Sequence, residues 1–369
     1  MSKTKAHSGG FSMKALILCA GKGTRLQPLT YSMPKHILPL ANTPIVYHII
    51  KKLVNLGITE IGLIVGYKQE QVREKVGDGS QLGAKITYIV QDTPKGLAHA
   101  VKMGQDFVGD EPFMVFLGDN IFEDDLTNLV HRYNEEKPSS IIILKEVDEP
   151  QRFGIAVLKD DTMIKVVEKP KNPPSNLAIA GVYIFDKDVF QAIDELKPSW
   201  RGEYEITDAI QGLIDKGLTI KGEILKGKWL DTGKPKDIID ANKFFCGKLN
   251  GWHISGDSDL DEDSIIDGAL YIGRGSKIRK CNFQGPVVIG ENCELENAIL
   301  QPNTCIGSGT RIKNATLKDS IMLEDSIIQN VEGTIRDSII GKNVEIMNIT
   351  LNNKCTLLLG SDDKLIGEL

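Results

Sequence analysis

An aliphatic residue recurs every 17 residues through the last third of the chain, and this period constrains the fold more than any other feature. It falls at Ile272, Ile289, Ile306, Leu323, Ile340 and Leu357. Steps of six, five and six residues within each period give 16 positions, of which 14 are apolar. The two exceptions, Gln329 and Thr334, stand next to Ile328 and Ile335. An unbroken period of this kind predicts stacked coils, with one inward aliphatic residue on each of three sides.

Glycine follows the aliphatic residue where a corner of each coil needs a small residue, at Gly273, Gly290, Gly307 and Gly341. The pattern resembles the hexapeptide repeats of left-handed parallel β-helices, and a meander of β-hairpins is the alternative. We therefore expect a left-handed β-helix over residues 251–360 and a short tail over residues 361–369.

The first two thirds of the chain follow a different pattern. Apolar runs at residues 15–20, 61–65, 86–90 and 113–117 alternate with stretches of helical spacing at residues 45–56, 69–76 and 98–107. Such alternation is typical of βαβ units. It predicts a Rossmann-like α/β domain over residues 13–250, with a mixed or mostly parallel sheet and helices on both faces. Because ligands bind at the carboxyl ends of such strands, the turns after Ala20, Val90 and Leu117 are the expected functional positions.

Composition excludes several classes of protein. The 369 residues include 44 Lys and Arg against 50 Asp and Glu, a net charge of −6, which disfavours binding of nucleic acid or anionic membrane through bulk charge. No apolar run approaches the roughly 20 residues that span a bilayer. Residues 1–12 lack the apolar stretch of a secretory signal, and we expect a disordered extension or tag remnant there. Six cysteines without a C-x-x-C pair indicate free thiols, so we expect a cytoplasmic protein without zinc.

The turn after the first strand is suited to phosphate. It contains Gly21, Gly23, Thr24 and Arg25, and Lys35 follows ten residues later. The glycines let backbone N–H groups approach phosphate oxygens, and a guanidinium adds a fork of donors. The chain contains no G-x-x-x-x-G-K-[ST] motif, so it is not a P-loop nucleotide-binding protein. The turn also lacks the third glycine of the G-x-G-x-x-G motif, which disfavours a dinucleotide site. The G-x-G-T-R pattern of residues 21–25 recurs at residues 307–311, inside the repeat, where we expect a corner of a coil.

Other polar residues follow the predicted strands. Gln91, before Pro94 and Gly96, offers an amide suited to a pyrimidine edge, although an ordinary turn is an equal alternative. Asp119 and Asp231 each follow an apolar run. An Asp at such a position is suited to bind Mg²⁺, and a turn or helix-capping residue is the alternative.

Together these motifs resemble the sugar-1-phosphate nucleotidylyltransferases, and within that family the glucose-1-phosphate thymidylyltransferases of long form, which carry a C-terminal β-helix. The motifs are residues 21–25, 34–35, 91–96, 118–120, 168–170, 201–208 and 229–233, in the order of the family.

The resemblance implies a role for each matching residue. The resemblance assigns nucleotide contacts to Ala20, Gly21, Gly23, Thr24, Gln91, Pro94 and Gly96. Catalytic roles fall to Arg25, Lys35 and Asp119, and Mg²⁺ ligation to Asp119 and Asp231. Sugar-phosphate contacts fall to Gly154, Glu168, Lys169, Gly181 and Arg201. Ala20 and Phe153 replace the Gly and Tyr that many members of the family have, and Phe153 leaves fine sugar selectivity open.

The implied reaction is attack of a hexose 1-phosphate oxygen on the α-phosphorus of dTTP, with pyrophosphate leaving. The nucleophile is already an anion and needs no base, so the task is alignment and charge neutralisation. UTP or another hexose 1-phosphate is the nearest alternative. A bifunctional enzyme with an acetyltransferase β-helix and an inactive regulatory subunit are two others, and the first is disfavoured because no histidine follows His253. We expect a homo-oligomer with the β-helix in a structural role.

Overall fold

The computed structural model describes residues 13–352 and 356–367. The expectation for residues 1–12 and the thiol of Cys355 lie outside that part. The chain packs into two compact units, each built from two separate stretches. The first unit holds the residues up to Gly21 together with Ile49–Trp229, and the second holds Lys22–His48 together with the residues from Leu230 onward. The domain boundary expected at residue 250 stays a prediction.

The strands before residue 232 are β1 (Lys14–Cys19), β2 (Pro39–Leu40), β3 (Thr43–Pro44), β4 (Glu60–Val65), β5 (Lys85–Val90), β6 (Phe113–Leu117), β7 (Asn120–Phe122), β8 (Ser140–Glu146), β9 (Gly154–Lys159), β10 (Thr162–Glu168), β11 (Leu177–Phe185), β12 (Ile220–Ile224) and β13 (Trp229–Asp231). The α-helices are α1 (Ile45–Asn55), α2 (Gln69–Val76), α3 (Leu97–Met103), α4 (Gln105–Val108), α5 (Thr127–Glu136), α6 (Asp188–Asp194), α7 (Ile206–Asp215) and α8 (Pro235–Cys246). Single 3₁₀ turns are Thr24–Leu26, Leu29–Tyr31, Lys35–Ile37, Ser80–Leu82 and Pro150–Arg152.

The first unit is built on a nine-stranded sheet in the order β5-β4-β1-β6-β11-β8-β12-β10-β9. The pairs β5–β4, β4–β1, β1–β6 and β8–β12 are parallel, and the other neighbours along this order are antiparallel. The sheet is therefore mixed. β1 and β6 are buried almost throughout, which explains why both read as continuous apolar runs.

Gly181, expected to contact the sugar phosphate, lies at an irregular point of the sheet. β11 starts at Leu177, so Gly181 lies inside the strand, where the register against β8 shifts between Ile179 and Tyr183. Gly181 has a φ of 78°, which a residue with a side chain adopts only under strain.

The second unit contains the repeats. Its strands are β14 (Trp252–Ile254), β15 (Asp259–Leu260), β16 (Ile265–Asp267), β17 (Leu270–Ile272), β18 (Lys277–Arg279), β19 (Asn282–Gln284), β20 (Val287–Ile289), β21 (Glu294–Leu300), β22 (Thr304–Ile306), β23 (Arg311–Lys318), β24 (Ile321–Met322), β25 (Ile327–Glu332), β26 (Thr334–Arg336), β27 (Ile339–Ile340), β28 (Glu345–Thr350), β29 (Leu358–Leu359) and β30 (Lys364–Ile366). They form a seven-stranded sheet and a ten-stranded sheet. Every strand pair recorded in these two sheets is parallel. Parallel pairing between successive repeats is what a β-helix requires, and the left-handed β-helix remains our interpretation.

The strict 17-residue period is correct only for the first coils. Ile272 pairs with Ile289, and Ile289 with Ile306. The next pairings are Ile306 with Met322, Met322 with Ile340, and Ile340 with Leu359, which are separated by 16, 18 and 19 residues. The corners absorb these changes in length, so an aliphatic side chain still faces the core in each coil.

The same adjustment explains the two polar exceptions in the period. Ile328 and Ile335 pair in place of Gln329 and Thr334, and both are fully buried. The pairing also continues past residue 360, because β30 pairs with β28 inside the segment where a tail was expected.

Asn242 of α8 joins two other parts of the second unit. Its Oδ1 accepts from the backbone N–H of Ala41 at 2.8 Å, and its Nδ2 donates to the carbonyl of Asn303 at 2.9 Å. Asn42 donates from Nδ2 to the carbonyl of Ile306 at 2.7 Å. The segment of residues 22–48 is thereby tied to the repeats. Across the described residues, no helix combines the length and the apolar character needed to cross a bilayer.

Candidate active site

Two turns at the carboxyl edge of the parallel strands meet around Gly66. A Cβ atom on Gly66 would lie 3.1 Å from Ala20 Cβ and 3.1 Å from the carbonyl oxygen of Gln91. A side chain at this position would therefore press on both turns. Sequence reasoning did not single out Gly66, although a glycine directly after a buried parallel strand was an available signal.

Gln91 is held by a neighbouring histidine. Its side chain is 3% exposed, and its amide nitrogen donates to His99 Nδ1 at 2.8 Å. Nδ1 therefore accepts, and the proton of the neutral ring lies on Nε2. Burial, and then the charge of Lys95, lower the pKa of His99. The neutral ring that Gln91 requires is thus the favoured form.

The rest of the Gln91 turn is closed by Tyr204. The backbone N–H of Tyr204 donates to the carbonyl of Lys95 at 2.7 Å, and Ala98 N–H donates to the Tyr204 carbonyl at 3.0 Å. Gly96 has a φ of 110°, and a Cβ there would lie 2.5 Å from the Tyr204 carbonyl oxygen. Only glycine fits this crossing, whereas Pro94 is exposed.

Asp119 is oriented by the residue that follows it. Asn120, 3% exposed, donates from Nδ2 to Asp119 Oδ1 at 2.8 Å and accepts from Trp229 Nε1. Phe153 packs on Trp229 with ring centroids 5.1 Å apart. A Cβ on Gly181 would lie 2.7 Å from Leu117 Cδ1 and 3.3 Å from Asn120 Cγ, so the bare backbone at that bulge makes room first for Leu117 and then for Asn120.

Glu168 lies in a small cluster with Thr207 and with Gly154, another predicted sugar-phosphate contact. Thr207 Oγ1 donates to Glu168 Oε2 at 3.0 Å. A Cβ on Gly154 would overlap Thr207 Cγ2 and would lie 3.2 Å from Glu168 Oε2. Thr207 is 3% exposed; it lies within the motif of residues 201–208, but the sequence assigned it no role.

Arg201 is surrounded by carboxylates. Its guanidinium lies 3.5 Å from Glu168, 3.2 Å from Glu203 and 3.2 Å from Glu205. Glu205 is 3% exposed, and burial raises its pKa. Burial, followed by the Glu168 charge, also raises the pKa of Asp208. Arg201 thus offsets an acidic cluster, in addition to any contact with a substrate phosphate.

Lys169 has a left-handed backbone with a φ of 39°, which is uncommon outside glycine, asparagine and aspartate. Its N–H donates to the carbonyl of Phe153 at 3.1 Å, and its Nζ lies 3.3 Å from Glu168 Oε1. Strained residues of this kind cluster at functional sites.

The second unit carries the segment around Gly23, which we define as residues 22–35 and call the Gly23 segment. Gly23 has a φ of 66°, and its carbonyl accepts from Leu26 N–H and from Thr30 Oγ1, both at 2.9 Å. A Cβ on Gly23 would lie 3.4 Å from Lys35 Cβ. The Lys35 stem therefore lies against the turn, while Thr24 and Arg25 are exposed, as is Gly21 just before the segment.

Asp231 and Arg25 converge on Gly233 in the second unit. A Cβ on Gly233 would lie 3.4 Å from both carboxylate oxygens of Asp231 and 3.5 Å from Arg25 Nη1. The Asp231 carboxylate is a hard oxygen donor, as is that of Asp119 in the first unit, and Mg²⁺ is bound by one or two carboxylates plus phosphates. Within residues 13–352 and 356–367, no group of three or more Asp, Glu, His or Cys is arranged to hold a metal. Each of these carboxylates is therefore a single Mg²⁺ ligand, and a substrate would have to supply further ligands.

Comparison with known proteins shows the family of this chain. The profile of the family described as nucleotidyl transferase matches residues 14–247, more than half of the chain. The nucleotidyltransferase Agl11 of low-salt glycan biosynthesis in Haloferax volcanii is 39% identical over 355 residues, which cover 90% of this chain and 94% of that protein. A glucose-1-phosphate thymidylyltransferase from Streptomyces antibioticus is 37% identical, over 96% of this chain and 99% of that protein.

A solved structure is also similar. It is that of a Bacillus anthracis protein described as a glucose-1-phosphate thymidylyltransferase, in complex with sucrose. It superposes with a TM-score of 0.60 and 39% identity, and the match covers 65% of this chain and 97% of that one. By the family profile and by both relatives, this chain belongs to the nucleotidyl transferase family.

Proposed function

We propose that this protein transfers the nucleotidyl group of dTTP to α-D-glucose 1-phosphate and releases pyrophosphate. The observation that carries the proposal is a continuous series of contacts within the first unit. It runs from the Gln91 turn to Tyr204, continues three residues along the chain to Thr207, and passes from Thr207 to Glu168 and Gly154. Phe153, the chain neighbour of Gly154, packs on Trp229, which donates to Asn120, and Asn120 donates to Asp119. A slot suited to a base, a carboxylate suited to sugar hydroxyls and a carboxylate suited to a metal are thereby linked.

The first unit supplies recognition in this proposal. Gln91 keeps its carbonyl and one N–H for a pyrimidine, because its bond to His99 uses one of the two amide protons. Glu168, fixed by Thr207, accepts from hexose hydroxyls, and Lys169 binds the hexose phosphate. Gly154 and Gly181 expose backbone that a side chain would cover.

The second unit supplies positive charge. Arg25 and Lys35 neutralise the triphosphate while the backbone of Gly23 and Thr24 holds it. The hexose phosphate is an anion before it reacts, so no residue has to remove a proton. Alignment and charge stabilisation are therefore the whole catalytic task. Mg²⁺, when bound by Asp119 and Asp231, supplies further neutralisation of the phosphates.

A substrate matrix tests the nucleotide and the sugar together. Pyrophosphate release is measured with dTTP, UTP, CTP, ATP and GTP against the 1-phosphates of glucose, galactose, mannose and glucosamine. We expect the highest kcat/KM for dTTP with glucose 1-phosphate. A higher value for UTP would overturn the thymidyl assignment, and no release with any pair would overturn the proposal.

The metal assignment has its own test. Asp231→Asn keeps the shape of the side chain and removes its charge, so the Mg²⁺ concentration that gives half-maximal turnover should rise about tenfold or more, which corresponds to at least about 1.4 kcal/mol. Asp237→Asn, on α8 of the same unit, is the matched control and should leave the titration unchanged. A wild-type Mg²⁺ titration in Asp231→Asn would make Asp231 a turn residue only.

A further inference from the structure

The end of the repeats contacts the Gly23 segment inside the second unit. We define the terminal coil as residues 357–366. Ser361 Oγ of this coil lies 2.7 Å from Ser32 Oγ, although 329 residues separate them in sequence. This contact joins the last described repeat to residues proposed to hold the triphosphate.

The neighbouring hydrogen bonds set the direction of this contact. Ser32 Oγ donates its proton to the carbonyl of Leu29 at 3.0 Å, so it has to accept from Ser361. Ser361 Oγ in turn accepts from the backbone N–H of Lys342 in the preceding coil, at 3.3 Å. A single chain of donors therefore runs from the repeat backbone, through two hydroxyls, to the carbonyl of Leu29.

A close backbone contact lies beside this chain. A Cβ on Gly360 would lie 3.2 Å from Pro28 Cβ, which is tighter than ordinary van der Waals contact. The Gly360 N–H donates to Asp363 Oδ2 at 2.7 Å, and this bond within the coil fixes the backbone at Gly360. Pro28 and Ser32 flank the single turn Leu29–Tyr31, and the terminal coil thus contacts the residues on both sides of it.

That turn carries the link to the proposed phosphate site. Thr30, in its middle, is 2% exposed and donates to the carbonyl of Gly23. Gly23 is also the residue against which the Lys35 stem lies. Movement of the turn would therefore move the Gly23 carbonyl and the Lys35 stem.

We propose that the terminal coil positions the Gly23 segment for the nucleotide, with Ser361 and Gly360 as positioning residues. The proposal rests on the function proposed above. A segment held in place by the coil does not have to be ordered by the nucleotide, so loss of the contact weakens nucleotide binding. Hexose binding, assigned to the first unit, should not change.

Ser361→Ala tests the proposal by kinetics. We expect the KM for dTTP to rise about fivefold, as for the loss of one neutral hydrogen bond, with an unchanged KM for glucose 1-phosphate. Ser361→Thr, which keeps the hydroxyl, should restore the wild-type value. In the background of Ser32→Ala, the Ser361→Ala change should have no further effect. Independent, additive effects of the two substitutions would overturn the proposal.

Ser308→Ala is the matched control. Ser308 follows Gly307 as Ser361 follows Gly360, and its Oγ accepts from the N–H of Glu291 in the preceding coil at 3.0 Å. The hydrogen bonds described for Ser308 join neighbouring coils. Both variants lose a bond between coils, so only Ser361→Ala should change the KM for dTTP. Equal effects in the two would mean general weakening of the repeats.

Hydrogen–deuterium exchange separates failure of this proposal from failure of the proposed function. Amides of residues 22–35 should exchange faster in Ser361→Ala than in the wild type or Ser308→Ala, without any substrate present. Unchanged exchange there would overturn the positioning role, whatever the activity. If residues 22–35 exchange faster in Ser361→Ala but the wild-type protein has no transferase activity, the coil still positions the segment. Only the proposed role of that segment in nucleotide binding would then be wrong.

Discussion

Thr207 serves two purposes with one small side chain. Its hydroxyl donates to Glu168, and its methyl group fills the space beside Gly154. Valine has the same shape without the hydroxyl, so Thr207→Val should leave the fold intact and leave Glu168 without its donor. Hydrogen bonds to charged groups are worth about 1.5–3 kcal/mol, so we expect the KM for glucose 1-phosphate to rise about tenfold or more.

Steady-state kinetics with each substrate varied in turn checks this prediction. The KM for dTTP serves as the internal reference and should not change. Thr207→Ser keeps the hydroxyl and loses the methyl group, so it should stay close to the wild-type KM for the sugar. A larger effect in Thr207→Ser than in Thr207→Val would show that packing, and not the hydrogen bond, is what matters here.

His99 gives the Gln91 turn a dependence on pH. Its folded pKa is lowered, so the unfolded state binds the proton more readily, and the neutral ring stabilises the fold. This contribution is complete above the unfolded pKa of about 6.5 and is lost as the pH falls through the lowered folded value. A protonated Nδ1 cannot accept from Gln91, so the KM for dTTP should rise over the same acidic range.

A His99→Asn variant isolates this effect from the titration of the substrate phosphates. Its side-chain oxygen can accept from Gln91 at every pH, so the extra rise in the KM for dTTP below about pH 6.5 should disappear. Identical pH profiles for the wild type and His99→Asn would show that His99 does not control Gln91.

At the scale of elements, a column of asparagines stabilises one corner of the repeats. Asn297, Asn314, Asn330 and Asn348 all have φ between 50° and 55°. Each donates from Nδ2 to Oδ1 of the next, at 2.8, 2.8 and 3.0 Å. Asparagine tolerates the left-handed backbone and has both a donor and an acceptor, so it can extend the column in both directions.

Two substitutions at Asn330 separate the backbone effect from the hydrogen bonds. Asn330→Gly loses the bonds and keeps the left-handed backbone without strain, whereas Asn330→Ala loses the bonds and adds about 1 kcal/mol or more of strain. We expect both variants to unfold at lower denaturant concentration than the wild type, with alanine the less stable by about 1 kcal/mol. Equal stabilities would mean that the corner relaxes out of the left-handed conformation.

The sequence predicted those elements whose signal is local. The apolar runs of β1 and β6 and the helical spacing of α2 were sufficient, because burial on both faces or on one stripe appears directly in the residues. The coil register was less certain at Met322 and Leu323. Both are apolar and both are buried, so spacing alone could not decide which pairs with Ile306.

Parts of the site depended on contacts between distant elements. Thr207 reaches Glu168 across 39 residues, and the bulge at Gly181 is a shift in the register of β11 against β8, which lies far from it in sequence. No local pattern encodes either feature. The candidate residues Glu168 and Asp119 were found from the sequence. Thr207 and Asn120 also lie in the motifs, but their hydrogen bonds to Glu168 and Asp119 were found only from the structure.

At the scale of the whole molecule, the second unit joins residues 22–48 to the repeats. A truncation after residue 250 removes the carbonyls of Asn303 and Ile306, which accept from Asn242 and Asn42. It also uncovers Cys246, which packs with Val288 and Cys305. We expect the truncated protein to unfold at lower temperature and to be cleaved faster by protease within residues 39–44.

Mass spectrometry of the early proteolytic fragments and thermal unfolding check this prediction. A truncation after residue 356 is the control, because it keeps the carbonyls of Asn303 and Ile306 and removes only the last coil. Cleavage within residues 39–44 at the full-length rate in both truncated proteins would show that this segment does not depend on the repeats.

The contact between Asn42 and Ile306 spans 264 residues, and this separation affects the chain as it is being made. At about 5–20 residues per second, the ribosome adds Asn42 to the chain roughly 13 to 50 s before it adds Ile306. The strands β1, β4, β5 and β6 are complete within the first third of synthesis, so the sheet can begin to assemble while residues 22–48 still lack their partners in the repeats. The nascent protein therefore has a period in which residues 22–48 are open to chaperones and proteases, and that period ends only when the later coils emerge.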